Sequence, residues 1–110
     1  MSKHEIPEEI IQAFHMMWDT FPEHARLIHK DRTVIAVNKA AEKLGMTVGT
    51  PCYQGSPIPS HKSCLAHKAL QEKTAMYIAA PSVPRMAFWI PVEGYPDLYV
   101  HSSLPLPQNK

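Results

Sequence analysis

Apolar residues recur at helical intervals near the start of the chain. Ile10, Phe14, Met17, Trp18 and Phe21 fall on one stripe. Pro7, Glu8 and Glu9 suit a first turn, where the helix dipole favours acidic neighbours, so the spacing predicts a helix over about 7–20. Pro22 ends it by holding Phe21 in extended backbone. In "ARLIHKDRTVIAVN" two short apolar runs flank a polar tip at Lys30 to Arg32, the pattern of a β-hairpin. Asn38 then stands where a helix cap belongs, "KAAEKL" follows, and Gly45 sits where a helix closes in left-handed backbone. "MTVGTPCYQGSPIP" carries too much proline and glycine for a long element. A further helix is expected from Ser60 to about Glu72. After it the pattern changes to strands, "AMYIAA", "RMAFWIPV" and "LYVHSSL", separated by "PSVP" and "EGYPD", before the fraying tail "PLPQNK".

Three consecutive strands make an antiparallel meander, and the early hairpin needs a neighbour because it is marginal alone. An α+β domain, a five-stranded antiparallel sheet with helices over one face, accounts for every element. The run "RLIHKDRTVIAVNKAAEKLGMTVGTPCYQ" resembles the front half of a PAS domain: a strand pair, an asparagine, a short alanine-rich helix ending in Leu-Gly, then "G-x-P-C-Y". The resemblance extends in outline from Ala25 to Leu104. It implies a PAS-like domain over 25–106, with an N-terminal flanking helix within 1–24 and a tail at 107–110. Many bacterial signalling PAS domains carry "PCY" followed by a second cysteine opening the next helix, and Cys52, Tyr53 and Cys64 match that variant. Where it often continues with a close C-x-x-C pair, this chain has His67 after Cys64.

The bulk numbers narrow the function classes. A chain of 110 residues is one domain. With 11 basic and 10 acidic residues and no basic run, nucleic acid is not indicated as a partner. No apolar stretch reaches the length of a membrane span, and the amino terminus lacks the order of a signal peptide, so a cytoplasmic protein without membrane contact is expected. In that setting the two cysteines are thiols, and a Cys52–Cys64 disulfide ranks below ordinary packing.

Cys52, His61, Cys64 and His67 offer two thiolates and two imidazoles, a donor set that suits tetrahedral zinc. A helix from Ser60 places His61, Cys64 and His67 on a slanted stripe, with neighbouring members in reach. Packing explains the same residues, with Cys64 under the helix, Cys52 in a loop gap and both histidines in water, and it is the weightier reading. The resemblance to haem-binding PAS domains adds His67 as an axial ligand candidate. No metal or cofactor is required, and zinc or haem belongs to the alternative. "SHKS" around His61 lacks the glycine frame, acid partner and oxyanion donors that would activate Ser60 or Ser63, so no enzyme is expected.

The leading expectation, implied by the resemblance, is a non-enzymatic sensory module that binds a small molecule or a signalling partner and relays a change in shape. Its ligand pocket is expected between the helices after Asn38 and the inner sheet face, with Ile35, Val37, Leu44, Leu65, Leu70, Phe88, Ile90 and Val100 as walls. Flanking helices of PAS proteins often form dimer contacts, so Ile10, Phe14, Met17, Trp18 and Phe21 are assigned to a homodimer interface. His29 and His101 read as half-buried polar neighbours within strands.

Overall fold

The computed structural model describes residues 6–49, 65–79 and 85–105. Helix α1 spans Glu8–Trp18, and strands β1 (Ala25–His29) and β2 (Val34–Val37) form the early hairpin. Two short helices follow, α2 (Lys39–Lys43) and α3 (Ala66–Glu72), then β3 (Met76–Ala79), β4 (Arg85–Val92) and β5 (Tyr95–Pro105). The expected start of the second helix at Ser60 lies outside the described residues.

The five strands order as β2-β1-β5-β4-β3, and every neighbouring pair is antiparallel. The closing meander is thus continuous, and the hairpin gains its neighbour by laying β1 along β5. Last in sequence, β5 becomes central in space. At the hairpin tip Arg32 takes a positive φ of 80°, the left-handed backbone that lets the chain reverse within Lys30 to Arg32. Gly45 has φ +87°, the conformation its place after α2 calls for.

Side chains along a strand alternate between faces, and here the alternation separates two cores. Leu27, Leu98 and Val100 point to one face, where they pack with Phe14 of α1, Ala25 and Ala36. Ile28 and Tyr99, one residue along, point to the other face and pack with Trp89, Val34, Val37, Ala41 of α2, and Ala66 and Ala69 of α3. The helices of the domain cover one face and the flanking helix covers the other. Leu27, Ile28 and Tyr99 are among the largest fully buried side chains, so both cores are drawn tight at β1 and β5.

Asn38 joins these layers. Its Oδ1 accepts from the backbone N–H of Ala41, the N-cap bond of α2, at 2.9 Å, and from that of Ala25, the first residue of β1, at 3.0 Å. Its Nδ2 donates to the carbonyls of Trp18 at 2.8 Å and Glu23 at 3.0 Å. The side chain is fully buried and uses both lone pairs and both hydrogens. Asn38→Ala therefore leaves several backbone groups without partners and is expected to cost about 3–5 kcal/mol. Asn38→Asp is the sharper test, since aspartate caps helices as well as asparagine does. Here it would set a carboxylate against two carbonyl oxygens, so denaturant melts should show a loss comparable to that of alanine. A tolerated aspartate would mean that capping α2 is the whole role.

Candidate functional site

The α2/α3 face of the sheet is apolar at one end and polar at the other. Pairing of Trp89 with His101, and of His101 with Arg26, lines up three inward side chains across β4, β5 and β1. The same alternation brings Arg26 in with Ile28 and Ser103 in with His101. His24, one residue before β1, completes the patch, and its ring lies 6.4 Å from that of His101, centroid to centroid. His101 stacks on Trp89 with centroids 4.9 Å apart and 11° between the planes. Its Nδ1 is 3.0 Å from the Phe88 carbonyl, which can only accept, so that nitrogen carries the hydrogen.

Ser103 is the hub of the polar end. Its Oγ accepts from Arg85 Nε at 3.1 Å and Nη2 at 2.9 Å, and lies 3.1 Å from His24 Nε2. Arg85 Nη2 also donates to the Ser103 carbonyl at 3.2 Å and to Glu23 Oε1 at 3.0 Å. The other ring nitrogen, His24 Nδ1, is buried and has no hydrogen-bond partner among the described residues. Burial, followed by the charges of Arg26 and Arg85, pushes His24 down to about 4, with Glu23 acting in the opposite direction.

The expected pocket walls divide between the two faces. Val37 belongs to the α2/α3 core, with Leu65 and Leu70 packed against it. Leu70 also lines a cleft of about 470 Å³ between α3 and the turn joining β4 to β5. Ile35, Ile90 and Val100 pack on the α1 side instead, and alternation puts Phe88 there too. Leu44 is exposed. Ile35, Phe88, Ile90 and Val100 point away from the α2/α3 face because a strand places every second residue on the far side, and Leu44 lies at the exposed end of α2.

Most of the α1 stripe is covered within the chain. Phe14 is buried within the chain, and Ile10, Trp18 and Phe21 pack against its cluster, because the sheet has a second apolar face to cover. Met17 of that stripe is 70 % exposed and its neighbour Met16 is 82 % exposed. Cys52, His61 and Cys64 lie outside the described residues, as does the "PCY" segment. His67 is on the exposed side of α3, with Nε2 3.4 Å from the Lys30 carbonyl. Among the described residues no three His, Cys, Asp or Glu side chains gather as a metal site, and no helix is long and apolar enough to cross a membrane.

His29 stands beside Asp31 and Asp97 at the hairpin end, and His101 sits on the inner face beside Trp89. The sequence reading missed the grouping of His24, Arg85, Glu23 and Ser103. Its signal was parity: Arg26 shares the face of Ile28 along β1, and Arg85 that of Trp89 along β4, so both place a cation on the core side of a strand.

No protein-family model matches the sequence, and no curated protein matches it. The fold does have solved relatives. A domain of an HTR-like protein from Haloarcula marismortui is similar with a TM-score of 0.60 at 20 % identity, over 78 % of this chain and 99 % of that one. A sensory box sensor histidine kinase from Vibrio cholerae is similar with a TM-score of 0.65 at 10 % identity, over 96 % of this chain and 100 % of that one. The PAS domain of an HTR-like protein from Haloarcula marismortui gives 0.54 at 14 % identity, over 90 % and 93 %. The chain therefore has the PAS fold, with the antiparallel sheet and helices that the sequence led us to expect.

The depressed His24 sets a pH dependence. The unfolded chain binds a proton at this residue as pH falls through 6.5, whereas the folded chain resists until about 4. Stability is therefore intact above 6.5 and falls between 6.5 and 4. For a half-buried ring partly screened by solvent the loss is about 1–2 kcal/mol. Thermal melts across that window should show wild type losing more stability than His24→Gln. Parallel curves would mean that the ring titrates as it does in water.

Proposed function

We propose that the chain is a non-enzymatic sensory module that binds a small molecule or a partner protein and relays the change through α1. One observation carries this reading: on a PAS fold, the polar patch on the helix-covered face is tied directly to the segment that follows α1. Arg85 holds the carboxylate of Glu23, and Asn38 holds the carbonyls of Glu23 and Trp18. A ligand shifts an equilibrium only through different contacts with two arrangements, and a packed helix beside the sheet is an element that can have two. The similarity to a protein described as a sensory box sensor supports the same reading.

In this reading the module acts through another protein or through a second copy of itself. The exposed Met16 and Met17 give α1 an outward apolar surface suited to either, and we assign a homodimer to it. The reading sets the protein in the cytoplasm.

Native mass spectrometry of freshly purified, reduced protein is expected to show a dimer carrying organic mass. In sedimentation velocity, Met16→Glu combined with Met17→Glu should convert that dimer to monomer. A bare monomer in both methods would end the small-molecule and homodimer readings and leave the partner protein. Added mass equal to zinc, removed by Cys64→Ala, would replace it with the Cys52, His61, Cys64 and His67 metal site.

A further inference from the structure

Arg85 opens β4 beside the polar patch, and Val92 closes it at the other end of the sheet, where α3 and the turn into β5 leave a cleft between them. We infer that this cleft binds a small zwitterion with an apolar body, such as a hydrophobic amino acid, with Lys73 taking the carboxylate and Glu93 the ammonium. The inference rests on the small-molecule part of the reading above.

The cleft has the size and lining of a small-molecule site. Its volume of about 470 Å³ falls within the range of such pockets, and Leu70, Pro91, Val92 and Pro96 give it apolar walls. Lys73 stands on the α3 wall and Glu93 on the turn wall, so the two sides carry opposite charges. These charges do not meet. No ion pair joins them, and neither side chain has another ion pair or hydrogen bond among the described residues. A plain anion entering the cleft is drawn by Lys73 and repelled by Glu93, and a plain cation meets the reverse. A ligand that carries both charges on an apolar body is attracted by each wall and covers the apolar surface between them.

The backbone under both charges supports the same conclusion. Lys73 closes α3 in left-handed backbone, with φ 55° and ψ 38°. Glycine takes that conformation at a helix end without steric cost, as Gly45 does after α2, whereas a lysine is strained in it. The lysine therefore costs stability at this position, and no bonded partner of its side chain offsets the cost. Across the cleft, Val92 pairs with Tyr95, so Glu93 and Gly94 make a two-residue turn, and Pro91 and Pro96 fix φ on either side of it. A stiff wall keeps its charge in place before the ligand arrives, which lowers the ordering cost of binding.

The test titrates the full chain with L-leucine at pH 7 and constant ionic strength, following backbone amides by NMR. The site requires saturable shifts at Leu70, Lys73 and Gly94. Leucinamide, which lacks the carboxylate, and isocaproate, which lacks the ammonium, should each bind at least about five-fold more weakly. Lys73→Gly separates binding from folding. It should raise the melting temperature by relieving the left-handed lysine, and yet bind leucine about five- to ten-fold more weakly, a loss that no damage to the fold explains. Glu93→Gln should weaken leucine binding while leaving isocaproate bound as well as before or better.

Linear shifts would overturn the proposal, as would equal affinity for leucine, leucinamide and isocaproate, or undiminished leucine binding in Lys73→Gly. Saturable shifts centred on Arg26 and His101 instead of Gly94 would overturn the location. Saturable leucine binding that leaves the α1 amides unmoved would support the site while refuting relay through α1. Organic mass on the purified protein without any leucine binding would refute the zwitterion and leave the sensory reading standing, so the two fail separately.

Discussion

The buried amide of Asn38 is the constraint on which the arrangement depends. Four backbone groups meet at one side chain: the carbonyl at the end of α1, which also accepts from the Phe21 N–H, and three with no other partner shown, a carbonyl of the connector, the first N–H of β1 and an N–H in the first turn of α2. An unpaired buried backbone group costs more than a formed bond returns, so these groups hold position chiefly because leaving would strand them. The amide alone among short side chains offers two acceptor sites and two hydrogens together. It fixes where α1 ends, where β1 begins and which way α2 departs. The helix on one face of the sheet is thereby tied to the helices on the other.

A sheet with both faces covered needs such a tie, because its two cores do not touch. Leu27 and Ile28 are adjacent in sequence and belong to different cores, as are Leu98 and Tyr99. Packing stabilises each helix on its own side and says nothing about their relation across the sheet. The relation comes from main-chain connections and from polar side chains at the edges. Two of these converge on Glu23, whose carbonyl is held by Asn38 and whose carboxylate is held by Arg85. A change at the polar end of the inner face is then one residue's length from the anchor of α1.

The sequence disclosed most of this fold through local rules. The cap at Asn38, the left-handed Gly45, the hairpin tip and the extent of β4 were all legible, because each is decided by a few neighbouring residues. What it did not disclose was which face each strand residue serves. Ile35, Ile90 and Val100 read as pocket walls because they are apolar, yet apolar alternation is ambiguous when both faces are buried. Placing α1 on the far face resolves that ambiguity, and α1 was assigned to a partner because nothing in its stripe reveals what covers it. His24, Glu23, Arg85 and Ser103 were hidden for a different reason. They lie in a connector and two strands as much as 79 residues apart, and only the pairing of β1 and β4 with β5 brings them together.

Stability gains little from the polar end of the inner face. A half-buried guanidinium, a depressed imidazole with one unpartnered nitrogen and a serine loaded with two arginine bonds form a costlier surface than the leucines and valines a core prefers. The opposite face of the same strands shows the cheaper solution, with Leu27, Leu98 and Val100 buried beneath α1. Folding therefore does not explain why the pleat positions of Arg26, His101 and Ser103 differ so sharply from those of their neighbours one residue away. Such a departure from apolar economy is expected where binding sets the requirement. In this fold it falls on the face covered by α2 and α3 and ends at the connector that leads to α1.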